Sequence, residues 1–176
     1  MTATTANQFI NEGLTLNDLS EKSVAELDSL YRHGTMPVSF KSLNGTPKGR
    51  MLAIRGIDKT PLFGPISMFS KASVFPWDGK SFNAINDQQG TGINRINLTV
   101  LKQSWFPFNT RVETSVIDGK DCIYLDYDLP ENPWFIRKIR DELREVSPGL
   151  FLGPAMWKDN QGGASLVLWF AIDTTQ

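Results

Sequence analysis

The chain has 176 residues, of which 40% are hydrophobic and 21% are charged, and its formal net charge at pH 7 is -1. This composition is typical of one globular domain, and it gives no basic surface for a nucleic acid or an anionic membrane. No apolar run reaches the roughly 20 residues that a membrane helix needs, and the N-terminus lacks a secretory signal, so we expect a cytoplasmic protein without membrane insertion. The single cysteine, Cys122, excludes an internal disulfide and a multi-cysteine zinc site.

In chain order, the first elements are a tail and a helix. Residues 1–13 are polar and patternless, which predicts a flexible tail on a single domain spanning residues 1–176. Ser23 followed by Glu26 is a capping box, and it predicts a short helix through Arg32. The run 50–56 then reads as a first strand, and the segment 61–75, with two prolines and a glycine, reads as an irregular cover with one or two helical turns.

Strand-like runs dominate the rest of the chain. They cover residues 79–86, 92–101, 109–117, 120–128, 150–158 and 164–173. Between the last two pairs, Asn132-Pro133 and a 3-4-3 apolar spacing predict one inserted helix through Val146. Successive hairpins with few crossovers predict a mainly β protein with helical covers (α+β): an antiparallel, lipocalin-like β-barrel or half-barrel.

The hairpin over 109–128 sorts its side chains by face. A two-residue turn at Asp118-Gly119 predicts that Arg111 pairs with Asp126. It also pairs Glu113 with Tyr124, which gives one polar face and one apolar face. The polar face is either the solvated outside of the sheet or part of the barrel interior, where Glu113, Tyr124 and Asp126 could carry out acid–base catalysis.

The chain is rich in large aromatic residues, with 5 Trp and 11 Phe against 3 Tyr and 1 His. They form either an ordinary aromatic core or a cavity lined with rings. For the cavity we predict walls from Trp77, Phe82, Trp105, Phe106, Trp157 and Trp169. Lys80 is the predicted cation at the mouth, and Arg111 with Tyr124 the polar end. No phosphate loop or calcium-loop spacing is present, so we predict no cofactor and no metal.

Four segments resemble a known family when taken in order: PWDGKSF, LDYDLP, LFLGPAMWK and LVLWFAID. The order is similar to that in small lipocalin-like (calycin-type) barrel proteins of the GXWXG type, and it spans residues 76–173. The resemblance implies a calycin-like barrel that holds an apolar ligand. It assigns no catalytic residue.

Three functions follow as hypotheses. The first is binding of a small, largely apolar molecule in an aromatic-lined cavity. The second is a cofactor-free isomerase, cyclase or lyase that acts on such a molecule in the same cavity. The third is an interaction module with a filled barrel. The expected partner in the first two is a small-molecule ligand or substrate, and a homodimer is compatible with the sequence.

Overall fold

The computed structural model describes residues 13–54, 77–98 and 101–176. The predicted tail, apart from Gly13, and the predicted cover over 61–75 lie outside the described residues. The first described elements are two helices, α1 (Leu16–Ser20) and α2 (Val24–His33). The capping box predicted for α2 is confirmed, because the Glu26 carboxylate accepts a hydrogen bond from the Ser23 backbone N–H at 2.8 Å. Neither helix has the length and apolar character needed to cross a bilayer.

The described residues form eight strands. Their bounds are β1 Lys48–Ile54, β2 Trp77–Ala84, β3 Gln89–Leu98, β4 Leu101–Thr114, β5 Asp121–Asp126, β6 Ile139–Ser147, β7 Leu150–Lys158 and β8 Ala164–Asp173. Each strand pairs antiparallel with the next, and β8 pairs with β1 to close the sheet. The predicted antiparallel barrel is therefore confirmed, in its fully closed form. Closure removes the exposed sheet edges that an open meander would carry.

The turn predicted between β4 and β5 is wrong, although the predicted sorting of faces holds. The last cross-strand pair is Thr114 with Asp121, so residues 115–120 form the loop instead of Asp118-Gly119 alone. The register therefore moves by two residues, and Arg111 lies opposite Tyr124. Because side chains alternate with a period of two, a shift of two leaves every side chain on its predicted face.

The helix predicted after Asn132 is also wrong, because most of that segment is a strand. Only a 3-10 turn, Ile136–Lys138, occurs there, and β6 begins at Ile139. Charged side chains of this segment are buried in the strand: Glu142 is 0% exposed and Arg144 is 1% exposed. Partners distant in sequence bind them, which a local helical pattern cannot reveal.

Apolar side chains pack on both sides of the barrel wall. The interior cluster includes Phe82, Phe108, Leu125, Leu143, Phe151 and Phe170. On the outer side, α1 packs against β1 and β8 and α2 packs against β6 and β7, through a second cluster. In that outer cluster Tyr31 of α2 lies 5.6 Å from Trp169 between ring centroids. The two helices thus cover one outer face of the barrel.

Candidate functional site

The interior packing is incomplete, and a cavity of about 70 Å³ remains inside the barrel. This space is several times what one ordered water molecule needs. Most of its lining is apolar, including Met51, Trp77, Phe106, Ile139, Trp157 and Phe170. Its polar lining side chains are Lys80, Asn94, Tyr127 and Asp141, which we call the Lys80 cluster.

Hydrogen bonds link the four side chains of the Lys80 cluster. The Lys80 ammonium donates to Asn94 Oδ1 at 2.8 Å, to Asp141 Oδ2 at 3.0 Å and to the Tyr127 hydroxyl. The Tyr127 hydroxyl in turn donates to Asp141 Oδ2 at 3.0 Å and accepts from Asn94 Nδ2 at 3.1 Å. All three protons of the lysine therefore have acceptors, which a buried ammonium requires.

Aromatic rings surround the lysine charge. The Lys80 nitrogen lies 5.0 Å from the ring centroid of Phe170 and 5.3 Å from those of Phe108 and Tyr127. The Trp77 ring is 5.5 Å away. Ring faces at these distances stabilise a cation. Burial nevertheless lowers the pKa of Lys80 below its ordinary value, and the Asp141 charge only partly offsets this. Burial, followed by the Asp141 charge, raises the pKa of Tyr127 well above its usual range.

One carboxylate oxygen of the Lys80 cluster has no hydrogen-bond donor among the described residues. Asp141 Oδ1 is buried and has no hydrogen-bond partner among the described residues, while Oδ2 accepts two hydrogen bonds. A buried carboxylate oxygen without a donor costs free energy, since it has lost its hydration. The cluster therefore carries a spare acceptor on a residue that lines the cavity.

A bulge in β4 places Phe106 in the cavity wall. Asn94 pairs with Trp105 and Ile93 with Pro107, so Phe106 is the extra residue of the pair of strands. Its φ is 60°, in the left-handed region that a phenylalanine rarely adopts. Bulges of this kind redirect a side chain next to functional sites, and the strain persists only where surrounding structure maintains it.

The predicted acid–base residues form a separate outer charge cluster with Arg111. Alternation along β4 and β5 puts Glu113, Tyr124 and Asp126 on the outside of the barrel, since Val112, Ile123 and Leu125 belong to the interior cluster. Arg111 donates to Asp126 Oδ2 at 2.9 Å, and its guanidinium carbon lies 4.6 Å from the Tyr124 ring centroid. Burial works to raise the pKa of Asp126, but hydrogen bonds, above all from Arg111, hold it below its ordinary value.

The predicted ligand-binding residues separate into two groups. Trp77, Lys80, Phe106 and Trp157 line the cavity. Phe82 packs in the interior core beside Phe108, with 5.5 Å between ring centroids. Trp105 is 37% exposed, Arg111 lies in the outer charge cluster, and Trp169 is buried under α2.

Sequence reasoning missed Asn94, Tyr127 and Asp141. Tyr127 did carry a signal, because the predicted hairpin placed it on the apolar face, where its hydroxyl needs a buried partner. Asp141 fell within the predicted helix and Asn94 within the predicted strand over 92–101, so nothing in the sequence joined them to Lys80. Across the ranges described, no three His, Cys, Asp or Glu side chains are placed to hold a metal ion.

One comparison with known proteins agrees with the fold. No family model matches the chain, and no curated protein sequence matches it. Among solved structures, a crystal structure of a protein from Thermomonospora curvata is similar, with a TM-score of 0.55 and 18% sequence identity over 87% of this chain and 88% of that chain. At this identity the likeness concerns the fold alone. The closed eight-stranded antiparallel barrel fits a calycin-like fold.

Proposed function

We propose that this protein binds a small, largely apolar molecule in the barrel cavity, where the Lys80 cluster orients it. The observation that carries the proposal is an apolar cavity with one group of converging polar side chains in its wall. Small-molecule sites commonly have this composition, with apolar walls for affinity and a few polar groups for orientation.

The energetics of the cluster support a functional reason for its presence. Removing a lysine and an aspartate from water costs several kcal/mol for each ion, and apolar residues of similar volume often serve stability equally well. Lys80 and Asp141 are each 3% exposed, so both carry that cost. The ion pair therefore adds little to the stability of the fold. Because it lies beside the cavity, we assign the pair to ligand binding.

The segments that resemble GXWXG-type proteins also supply part of the site. PWDGKSF provides Trp77 and Lys80, LDYDLP provides Tyr127, and LFLGPAMWK provides Ala155 and Trp157. Separate short motifs therefore meet at one cavity. This convergence supports our proposal that the chain is related to those proteins and uses its barrel as they are expected to, for an apolar ligand.

Filling the cavity tests the proposal. Ala155 lines it, so Ala155→Phe places a ring in the ligand space, whereas Val38→Phe adds the same ring at a fully exposed position. A library of small apolar compounds is screened against the wild-type protein by native mass spectrometry and tryptophan fluorescence, since Trp77 and Trp157 border the cavity. We expect hits that bind wild type and Val38→Phe and that lose binding to folded Ala155→Phe. Hits that bind all three equally would place the ligand elsewhere and refute the proposal.

A second candidate is a cofactor-free isomerase, cyclase or lyase that uses the same cavity. It is favoured by hydrogen-bonded contact between an amine of lowered pKa, a phenol and a carboxylate, which could transfer a proton to or from a bound substrate. In this proposal Lys80, Tyr127 and Asp141 move the proton. Glu113, Tyr124 and Asp126 could act only on a molecule held at the outer surface. Tyr127→Phe should then abolish turnover of an identified substrate and retain its binding.

The third hypothesis, an interaction module, requires a filled barrel, and the cavity gives it less support. A cytoplasmic location and a homodimer stay predictions from the sequence.

A further inference from the structure

The spare acceptor of Asp141 limits the chemistry of the ligand. The Lys80 ammonium donates its three hydrogen bonds to Asn94, Tyr127 and Asp141. The Tyr127 hydroxyl donates its hydrogen bond to Asp141 Oδ2. The described side chains of the cluster have no further donor to offer to Oδ1. A donor group on a ligand that lies beside the cluster can supply one.

The charges of the Lys80 cluster also favour a neutral hydrogen-bond donor as the ligand. The Lys80 ammonium and the Asp141 carboxylate form an ion pair at 3.0 Å, so the pair has no net charge. A carboxylate or phosphate ligand would find no unpaired cation there, and it would face the Asp141 oxygen at close range. Burying a second anion beside a buried carboxylate is unfavourable, whereas a neutral donor is favoured.

We propose that the ligand is a neutral, largely apolar molecule with one hydrogen-bond donor, a hydroxyl or an N–H, that binds Asp141 Oδ1. The inference rests on the proposed function, since it needs a ligand in the cavity. Oδ1 is almost fully enclosed, so binding requires the Asp141 carboxylate to turn until Oδ1 faces the ligand. The terminal torsion of an aspartate is broad, which allows such a turn. The cluster thus selects for a donor.

A pair of probes with nearly the same shape tests this directly. Indole carries an N–H where benzofuran carries an oxygen, so they differ as donor and acceptor. Benzofuran-2-carboxylate adds the anionic case. Dissociation constants come from isothermal titration calorimetry and NMR titration of the full-length protein. We expect indole to bind about tenfold more tightly than benzofuran, because a hydrogen bond to a buried charged acceptor is among the stronger ones, and the carboxylate to bind most weakly.

Variants assign the preference to Asp141. In Lys80→Met/Asp141→Leu the ion pair is replaced by apolar groups, which avoids an unpaired buried charge and keeps the protein foldable. This variant should bind indole and benzofuran equally. Asp128→Asn removes a carboxylate that is half exposed and pairs with Arg137, and it should keep the full preference.

The outcomes separate the two proposals. Equal binding of indole and benzofuran to the wild type overturns the inference and leaves the cavity function standing. Tightest binding of the carboxylate overturns it as well, because that result requires an unpaired cation. A preference for indole that survives in the double variant assigns the donor to another acceptor and also overturns it. If neither neutral probe binds, the inference falls together with the proposed function.

Discussion

The ion pair between Lys80 and Asp141 makes a quantitative prediction about stability. The perturbation is Lys80→Met and Asp141→Leu, introduced singly and together, which removes the charges with small changes in volume. The two charged atoms are 3.0 Å apart, and at an effective dielectric constant of about 20 their Coulomb attraction is about 5–6 kcal/mol. Desolvation of two buried ions costs several kcal/mol each, so the net contribution of the pair is close to zero.

Each single variant should be much less stable than the double variant. Losing one partner leaves the other buried and unpaired, at a cost of about 3–5 kcal/mol. Losing both removes the desolvation cost together with the attraction, so the double variant should stay within about 1 kcal/mol of the wild type or exceed it. The resulting coupling energy is several kcal/mol, well above the roughly 0.5 kcal/mol scatter expected for independent sites.

Urea denaturation followed by tryptophan fluorescence at pH 7 measures all four free energies of unfolding. Asp128→Asn, at an exposed ion pair, is the control and should change the free energy by less than about 1 kcal/mol. Additive losses in the double variant would refute the reasoning, because they would mean that the two charges do not depend on each other. Equal m-values across the set are needed to compare the free energies.

Two further predictions concern backbone strain and acid stability. Phe106 has a φ of 60°, a conformation that glycine adopts more easily than alanine. In thermal unfolding, Phe106→Gly should therefore be about 1 kcal/mol more stable than Phe106→Ala, which is the reverse of the usual order inside a strand. Greater stability of the alanine variant would show that the backbone at this position is not strained. A hydrogen bond from Arg144, opposed by burial, lowers the pKa of Asp118 from 3.8 to about 2. The ionised Asp118 carboxylate therefore stabilises the folded protein above pH 4, and this stabilisation is lost as the pH falls to 2. Asp118→Asn should therefore cost about 1–2 kcal/mol at pH 7 and almost nothing at pH 2 in urea denaturation, and a pH-independent difference would contradict this origin.

The fold was largely predictable because its signals are local. The alternation of side chains along 109–128 determined the two faces of the hairpin, and it survived an error in the turn because the register moved by an even number. The capping box at Ser23 determined where α2 begins. Both signals depend on residues within a few positions of each other, which is the range over which a sequence pattern is informative.

The helix prediction for residues 132–146 was wrong because the contacts that determine this segment are distant in sequence. Its apolar spacing fits a helix, and its charges fit a solvated face with i,i+4 pairs. In the structure Arg144 donates two hydrogen bonds at 2.8 Å to Asp118, which lies in the loop between β4 and β5. A charged residue that is buried through a partner so distant in sequence looks the same, in sequence, as one at the surface.

The apolar part of the candidate site was predictable, but of its polar part only Lys80 was. Trp77, Phe106 and Trp157 were chosen as large rings suited to a cavity, and they line it. The polar part required the barrel to close, because Lys80 lies in β2, Tyr127 directly follows β5, and Asp141 lies in β6. These residues meet only across the interior. Once the helix prediction had removed Asp141 from the sheet, no pattern could bring it to Lys80.

Two adjacent carboxylates in β6 show how alternation along a strand gives neighbours different roles. Glu142 faces outward beneath α2, where it accepts hydrogen bonds from the Tyr31 hydroxyl at 2.7 Å and the Ser115 hydroxyl at 2.6 Å, and Arg140 at 2.8 Å balances its charge. Both of its oxygens have donors.

Asp141 faces inward and is equally buried, yet one of its oxygens has none among the described residues. In β6, both oxygens of Glu142 therefore have hydrogen-bond donors among the described residues, whereas only one oxygen of Asp141 does. Asp141 is the carboxylate that lines the cavity. A purely structural role accounts for Glu142, since every polar atom of its side chain is used. It does not account for the open oxygen of Asp141, and this difference is the physical basis for placing the ligand beside Asp141 and away from the outer charge cluster.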